Sequence, residues 1–109
     1  MPSIETEIAL AASDARSGLQ ALYGNRLKGV YLFGSVARGD ADPESDVDIL
    51  IVLDTVPSYG QEVDRTGFLI SDLSLRLGRS FSRVFLPERE WVAGSSAFAA
   101  KVQREAVLV

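Results

Sequence analysis

The chain has 109 residues, of which 47% are hydrophobic and 24% charged, a composition typical of one folded globular domain. Fifteen acidic and 11 basic residues give a formal net charge of −4, which argues against non-specific binding to duplex nucleic acid. Cysteine and histidine are absent, which excludes disulfides, thiol nucleophiles, Cys/His zinc sites and a Ser-His-Asp triad within this chain. Acid–base or metal chemistry must therefore use carboxylates, hydroxyls, lysine and arginine.

No apolar run in the sequence approaches the length of a membrane span. The first residues also lack the basic and apolar regions of a secretory signal. We therefore expect a single domain over residues 1–109, located in the cytoplasm and not associated with membranes.

The first third of the chain predicts a helix, a strand and a loop. Ser3 can cap a helix that ends at Gly24-Asn25, and three- and four-residue spacing predicts its inward face: Ile4, Ile8, Ala11, Ala15, Leu19 and Leu22. Gly29–Phe33 is a short apolar run that predicts a buried strand. The segment from Gly34 to Ser45 is rich in Gly, Asp, Pro and Ser, which predicts a loop with one helical turn.

The remaining elements alternate between strands and helices. Asp46–Leu53 is the clearest strand, with Val47, Ile49, Ile51 and Leu53 on one face and Asp46, Asp48, Leu50 and Val52 on the other. A second helix is predicted from Gln61 to Gly78, with Val63, Leu69, Ile70, Leu73 and Leu77 inward. Ser80–Leu86 predicts a third strand, Ala97–Arg104 a last helix and Val107–Val109 an edge strand. This order predicts an α/β (α+β) fold in which helices pack on a small mixed sheet.

Negative charge is concentrated between Arg38 and Asp54, where six acids accompany one base. One interpretation is a solvated, turn-rich acidic loop. However, Asp46 and Asp48 are two residues apart at the start of an apolar strand, so their side chains leave the same face about 7 Å apart. Like charges so placed repel unless a cation lies between them, and a hard divalent cation such as Mg²⁺ suits these oxygen ligands.

A second motif precedes this acidic pair. Gly34-Ser35 closes the preceding predicted strand, and ten residues separate it from Asp46. Glycine allows another group to approach the backbone closely, and the serine hydroxyl and backbone N–H groups can bind an anion such as phosphate. A phosphate site beside a metal site is what phosphoryl or nucleotidyl transfer requires.

The segment from Leu32 to Leu50, LFGSVARGDADPESDVDIL, resembles the signature of the minimal nucleotidyltransferases (MNT) of the DNA polymerase beta-like superfamily. The resemblance implies that Gly34 and Ser35 hold the phosphates of a nucleoside triphosphate, with ATP the implied substrate. It implies that Asp46 and Asp48 ligate two Mg²⁺ ions and are the catalytic acids. Arg38 also lies in the motif, where it can contact phosphate or pair with an acid of the loop.

The resemblance further implies transfer of AMP to a hydroxyl, and a partner protein such as a HEPN-domain toxin for which the chain would be the antitoxin. Catalytic relatives carry a third carboxylate on a later core strand, where this chain has Ser82. Two hypotheses therefore stay open: a nucleotidyltransferase, or an antitoxin-like module that binds its partner without catalysis. A chain this small cannot bury a nucleotide fully, which favours a homodimer or a hetero-complex.

Overall fold

The structure is a computed structural model that describes residues 4–40 and 44–109. Its helices are α1 (Ile4–Tyr23), α2 (Gly34–Arg38), α3 (Tyr59–Arg65), α4 (Gly67–Leu77), α5 (Glu88–Ala93) and α6 (Ala97–Glu105). Its strands are β1 (Leu27–Phe33), β2 (Val47–Leu53), β3 (Phe81–Pro87) and β4 (Val107–Leu108). Ser3, the predicted cap of the first helix, and Asp42 of the acidic motif lie outside the described residues.

The strands form one mixed sheet in the order β3-β2-β1-β4. β2 is antiparallel to β1 and parallel to β3, and β4 adds to β1 in antiparallel orientation. The predicted adjacency of the first three strands and the predicted C-terminal edge strand are confirmed. The α+β class predicted from the order of elements is also confirmed.

The predicted alternation along β2 is confirmed, and both faces of the strand are buried. Val47, Ile49, Ile51 and Leu53 belong to the apolar cluster that includes residues of α1 and α4. Leu50 and Val52 belong to a second cluster with Leu86, Ala99 and Val102. Helices therefore cover both faces of the sheet, and β2 is the element on which the two layers meet.

The inward face of α1 differs from the prediction at its C-terminal end. Leu22 is 44% exposed, whereas the neighbouring Tyr23 is buried. The apolar face continues from Ala15 through Leu19 to Tyr23 in four-residue steps. Tyr23 is held inward because its hydroxyl donates a hydrogen bond of 2.8 Å to Glu62.

Glu62 is a buried carboxylate that joins α1, α3 and the turn before β1. Its side chain is 3% exposed and pairs with Arg26 at 3.2 Å and Arg65 at 2.9 Å. Burial raises the pKa of Glu62, but hydrogen bonds from Tyr23, Arg65 and Arg26 outweigh that effect and hold the pKa below its usual value. The carboxylate is thus kept ionised inside the fold by its three donors.

The prediction of one continuous second helix is wrong, because the chain breaks at Thr66 between α3 and α4. The Thr66 hydroxyl donates to the carbonyl oxygens of Glu62 and Val63, and Arg83 donates to the same hydroxyl at 2.7 Å. Such side-chain hydrogen bonds compete with the backbone hydrogen bonds of a helix. Gly67, a poor helix former, follows Thr66 directly. The inward residues Ile70 and Leu73 are nevertheless buried as predicted.

Several predicted boundaries also shift. β1 begins at Leu27 rather than Gly29, β2 begins at Val47 so that Asp46 precedes it, and β3 runs one residue later than predicted. α6 extends one residue beyond the predicted helix end, to Glu105.

α5 was not predicted; it follows Pro87, and its Trp91 ring packs on Tyr31 at a centroid distance of 4.8 Å. Within the described ranges, no helix combines the length and apolarity needed to cross a bilayer.

Candidate active site

The end of β1 and the start of β2 bring the glycine motif and the acidic motif together. Phe33, the last residue of β1, pairs with Asp48 in the sheet register, and Gly34 follows Phe33 with a φ of +74°. A Cβ atom on Gly34 would overlap the Oδ2 atom of Asp48 and lie 3.2 Å from its Cγ atom. Glycine is therefore required here for both its backbone conformation and its lack of a side chain.

Asp48 also has a neighbour on its other side, because Ser82 of β3 is its register partner. Burial raises the pKa of Asp48, and the hydrogen bond from Ser82 acts in the opposite direction. The charges of Asp46 and Glu105 raise the pKa further, whereas Arg38 lowers it, and the net effect is a raised pKa. Ser82 thus lies beside Asp48, at the position where the resemblance to the minimal nucleotidyltransferases leads us to expect a third carboxylate.

Asp46 is exposed and lies just before β2, and residues just before β3 hold the backbone around it. The buried Arg79 side chain donates to the Ser45 carbonyl oxygen through Nε at 3.1 Å and through a terminal guanidinium nitrogen at 2.6 Å. The N–H of Val47 donates to the Ser80 carbonyl oxygen at 2.9 Å. Hydrogen bonds on both sides of Asp46 therefore hold the entry to the strand.

Arg38 ends α2 and forms two ion pairs. Its Nε atom lies 3.3 Å from Asp40, and a terminal guanidinium nitrogen lies 3.3 Å from Glu105. The predicted pairing with an acid of the loop is confirmed. Gly39 caps α2 in the left-handed conformation, and Ser35 lies between Gly34 and Arg38 in the same short helix.

Glu105, the last residue of α6, was not identified from the sequence. Its Oε1 atom accepts a hydrogen bond from the Gly34 N–H at 3.2 Å, while Oε2 faces Arg38. The Gly34 N–H and the Arg38 charge outweigh desolvation and lower the pKa of this carboxyl, so it is ionised. Because 71 residues separate Glu105 from Gly34, only the docking of α6 against α2 brings it to the site.

The chemistry of these side chains fits a hard divalent cation. Asp46 and Asp48 supply carboxylate oxygens, the donor type that Mg²⁺ prefers. Because position 34 has no side chain, one oxygen of the Asp48 carboxylate lies close to the Gly34 backbone. Among the residues that the structure describes, no three acidic side chains are grouped closely enough to share one ion.

Comparison with known proteins finds relatives that are similar to this chain in sequence. A relative from Methanocaldococcus jannaschii, named as a candidate protein adenylyltransferase, is 55% identical over 43 residues, covering 39% of this chain and 43% of the relative. A second candidate protein adenylyltransferase from the same organism is 40% identical over 56 residues, covering 51% of this chain and 57% of the relative. The chain spans about half the length of the curated relatives it matches.

Solved structures with the same fold cover nearly the whole chain. A candidate nucleotidyltransferase from Sulfolobus solfataricus has a TM-score of 0.60 at 26% identity, over 99% of this chain and 87% of that chain. A candidate minimal nucleotidyltransferase has a TM-score of 0.62 at 26% identity, over 99% and 97% of the two chains. Residues 13–96 match the family model described as the nucleotidyltransferase domain. On the sequence match and the shared fold together, this chain belongs to the nucleotidyltransferase domain family.

Proposed function

We propose that the chain is a Mg²⁺-dependent nucleotidyltransferase that transfers AMP from ATP to a hydroxyl group. The observation that carries the proposal is the contact between Gly34 and Asp48, which joins the two motifs in one place. A phosphate-binding backbone and a metal-binding carboxylate must be neighbours for transfer at the α-phosphate. The acceptor oxygen would bond to the α-phosphorus, the bond to the bridging oxygen would break, and pyrophosphate would leave.

Each motif residue has a role in this proposal. Asp46 and Asp48 would hold two Mg²⁺ ions, and bound magnesium would neutralise the charge that develops on the phosphates. Gly34 and Ser35 would bind the terminal phosphates. Arg38 would contribute a positive charge beside them. The hydrogen bonds from Arg79 to the Ser45 carbonyl would keep Asp46 in position while the ligand exchanges.

The acceptor that we propose is a hydroxyl of a partner protein, such as a tyrosine of a HEPN-domain toxin. The names of the curated relatives, candidate protein adenylyltransferases, support a protein acceptor. We further propose that a second protein, or a second copy of the chain, completes the nucleotide site.

The serine at position 82 lowers the rate that we expect for this reaction. A serine beside Asp48 cannot act as the base that deprotonates the acceptor, and general-base assistance is typically worth about 10²–10⁴-fold in rate. We therefore expect slow transfer by the native chain and faster transfer by Ser82→Asp, because the aspartate would lie on the same face as Asp48. The measurement is transfer of labelled AMP from ATP to the partner, with Asp48→Asn as the inactive control in each background.

A second candidate function is an antitoxin-like module that binds its partner without catalysis. The specific observation that favours it is the serine at position 82. Under this alternative, the native chain and Ser82→Asp both fail to transfer AMP with the partner present, while Asp48→Asn still binds and neutralises that partner. Under the enzyme proposal, Asp48→Asn removes AMP transfer and with it the neutralisation that depends on modification.

A further inference from the structure

The carboxylate of Glu105 occupies two donors that a nucleotide phosphate would use. It accepts the Gly34 N–H at 3.2 Å through one oxygen and pairs with Arg38 at 3.3 Å through the other. A phosphate oxygen bound at the same place would need the same N–H and the same guanidinium. The Gly34 N–H and the guanidinium N–H that faces Glu105 cannot serve both anions with good geometry, because each strong hydrogen bond requires the N–H to point at one acceptor.

We propose that Glu105 is a built-in competitor of nucleotide phosphate, and that it sets the affinity of the site for triphosphate by occupying Gly34 and Arg38 until the ligand displaces it. This inference rests on the proposed nucleotide function. The exchange requires no other chemical group. The Glu105 carboxylate releases the Gly34 N–H and the Arg38 guanidinium, and a phosphate takes its place on these donors.

The surroundings of Glu105 support competition rather than metal binding. Within the described ranges it does not join Asp46 and Asp48 in a group that could hold one ion. Its side chain is only 16% exposed, so most of it is covered while α6 is docked. Displacement therefore requires the end of α6 to move or the side chain to rotate.

The test is calorimetric binding of inorganic tripolyphosphate in excess Mg²⁺, a probe that carries the phosphate chemistry without a nucleoside. Glu105→Gln removes the charge but keeps the shape, and charge-assisted hydrogen bonds are about twice as strong as neutral ones. We expect Glu105→Gln to bind the probe about 10-fold more tightly than the native chain. Glu105→Asp keeps the charge but is one methylene too short for both contacts, so we expect a smaller gain of about 3-fold.

Glu88→Gln is the matched control, because it removes the same charge from an exposed residue of α5, which follows the opposite end of β3. We expect it to change the affinity less than 2-fold, within the effect of an exposed, screened charge. General damage to the fold would weaken binding, so a gain in affinity is a readout that a merely structural role for Glu105 would not produce. If Glu105→Gln fails to fold, the Asp variant decides.

Equal affinity of the native chain and both Glu105 variants would overturn the inference while leaving the nucleotide site in place. Weaker binding by Glu105→Gln and Glu105→Asp would also overturn it, since Glu105 would then assist the donors instead of competing for them. Absence of binding by every variant, with or without Mg²⁺, would overturn the proposed function and this inference together.

Discussion

The contact between Gly34 and Asp48 makes a quantitative prediction that separates backbone strain from steric overlap. Gly34 and Gly39 have similar φ angles of +74° and +79°, but a Cβ atom on Gly39 would meet nothing within 4 Å. An L-residue in this left-handed region costs about 1–2 kcal/mol, so Gly39→Ala should reduce the free energy of unfolding by about that amount.

Gly34→Ala carries the same strain and adds the overlap with the Asp48 carboxylate. That carboxylate must rotate away from its position and lose its hydrogen bond to Ser82, which together cost a further amount of about 1–3 kcal/mol. The extra cost should disappear in an Asp48→Ala background, because only the Asp48 Cβ then remains, at an ordinary contact distance of 3.5 Å.

Urea unfolding followed by the fluorescence of Trp91, the single tryptophan, measures all the variants. Trp91 packs on Tyr31 of β1, so its fluorescence follows the packing of α5 on the sheet, and far-UV circular dichroism recorded in parallel tests that the whole chain unfolds in the same transition. Equal costs for Gly34→Ala and Gly39→Ala in the native background would refute the close approach of the two motifs. An extra cost that persists in the Asp48→Ala background would place the strain elsewhere.

Three further predictions concern charged groups. The pKa of Asp48 is raised, which means that the fold disfavours its ionised form. Asp48→Asn should therefore raise the melting temperature of the metal-free protein at neutral pH. This gain should shrink as the pH falls through the raised pKa of Asp48. The pKa of Glu62 is lowered, so its ionised form contributes stability above the unfolded value of 4.5 that is lost as pH falls through the lowered pKa. Glu62→Gln should therefore reduce the free energy of unfolding by about 1–3 kcal/mol at pH 7, and by less in acid, in urea titrations. Arg79→Ala should cost about 1.5–3 kcal/mol and weaken binding of magnesium tripolyphosphate in calorimetry, with partial recovery in Arg79→Lys.

One common control serves these three variants. Asp72→Asn removes an exposed carboxylate of α4 that pairs with Arg76, so it should leave stability within about 0.5 kcal/mol. A lower melting temperature for Asp48→Asn, a constant effect of Glu62→Gln at every pH, or unchanged probe binding by Arg79→Ala would contradict the respective prediction.

The parts of the molecule that sequence predicts well are those with local signals. β2 is recognised because apolar residues fill both of its faces, and the two motifs are recognised because each lies within a few residues. The sheet order that joins Gly34 to Asp48 follows from the tendency of consecutive strands to pair with each other. The ends of β3 are predicted only approximately from the sequence. The register of β3 against β2 in the structure places Ser82 beside Asp48.

The parts that sequence misses depend on contacts between distant residues. The break at Thr66 needs the hydrogen bond from Arg83, and the inward turn of Tyr23 needs Glu62. Glu105 has no motif, because an acid at the end of a helix is usually solvated. Its place at Gly34 appears only once the chain folds back through α5 and α6.

The two apolar clusters on either side of the sheet are unequal in size. Among the described residues, 13 buried residues form the cluster beneath α1 and α4, and five form the one beneath α5 and α6. Local opening begins where the fewest apolar contacts are lost, so amide hydrogens of α6 should exchange well before those of β2. Such an opening carries Glu105 away while Asp48 stays on β2 and Gly34 stays next to the end of β1, so the phosphate donors can become accessible in a partly open native state.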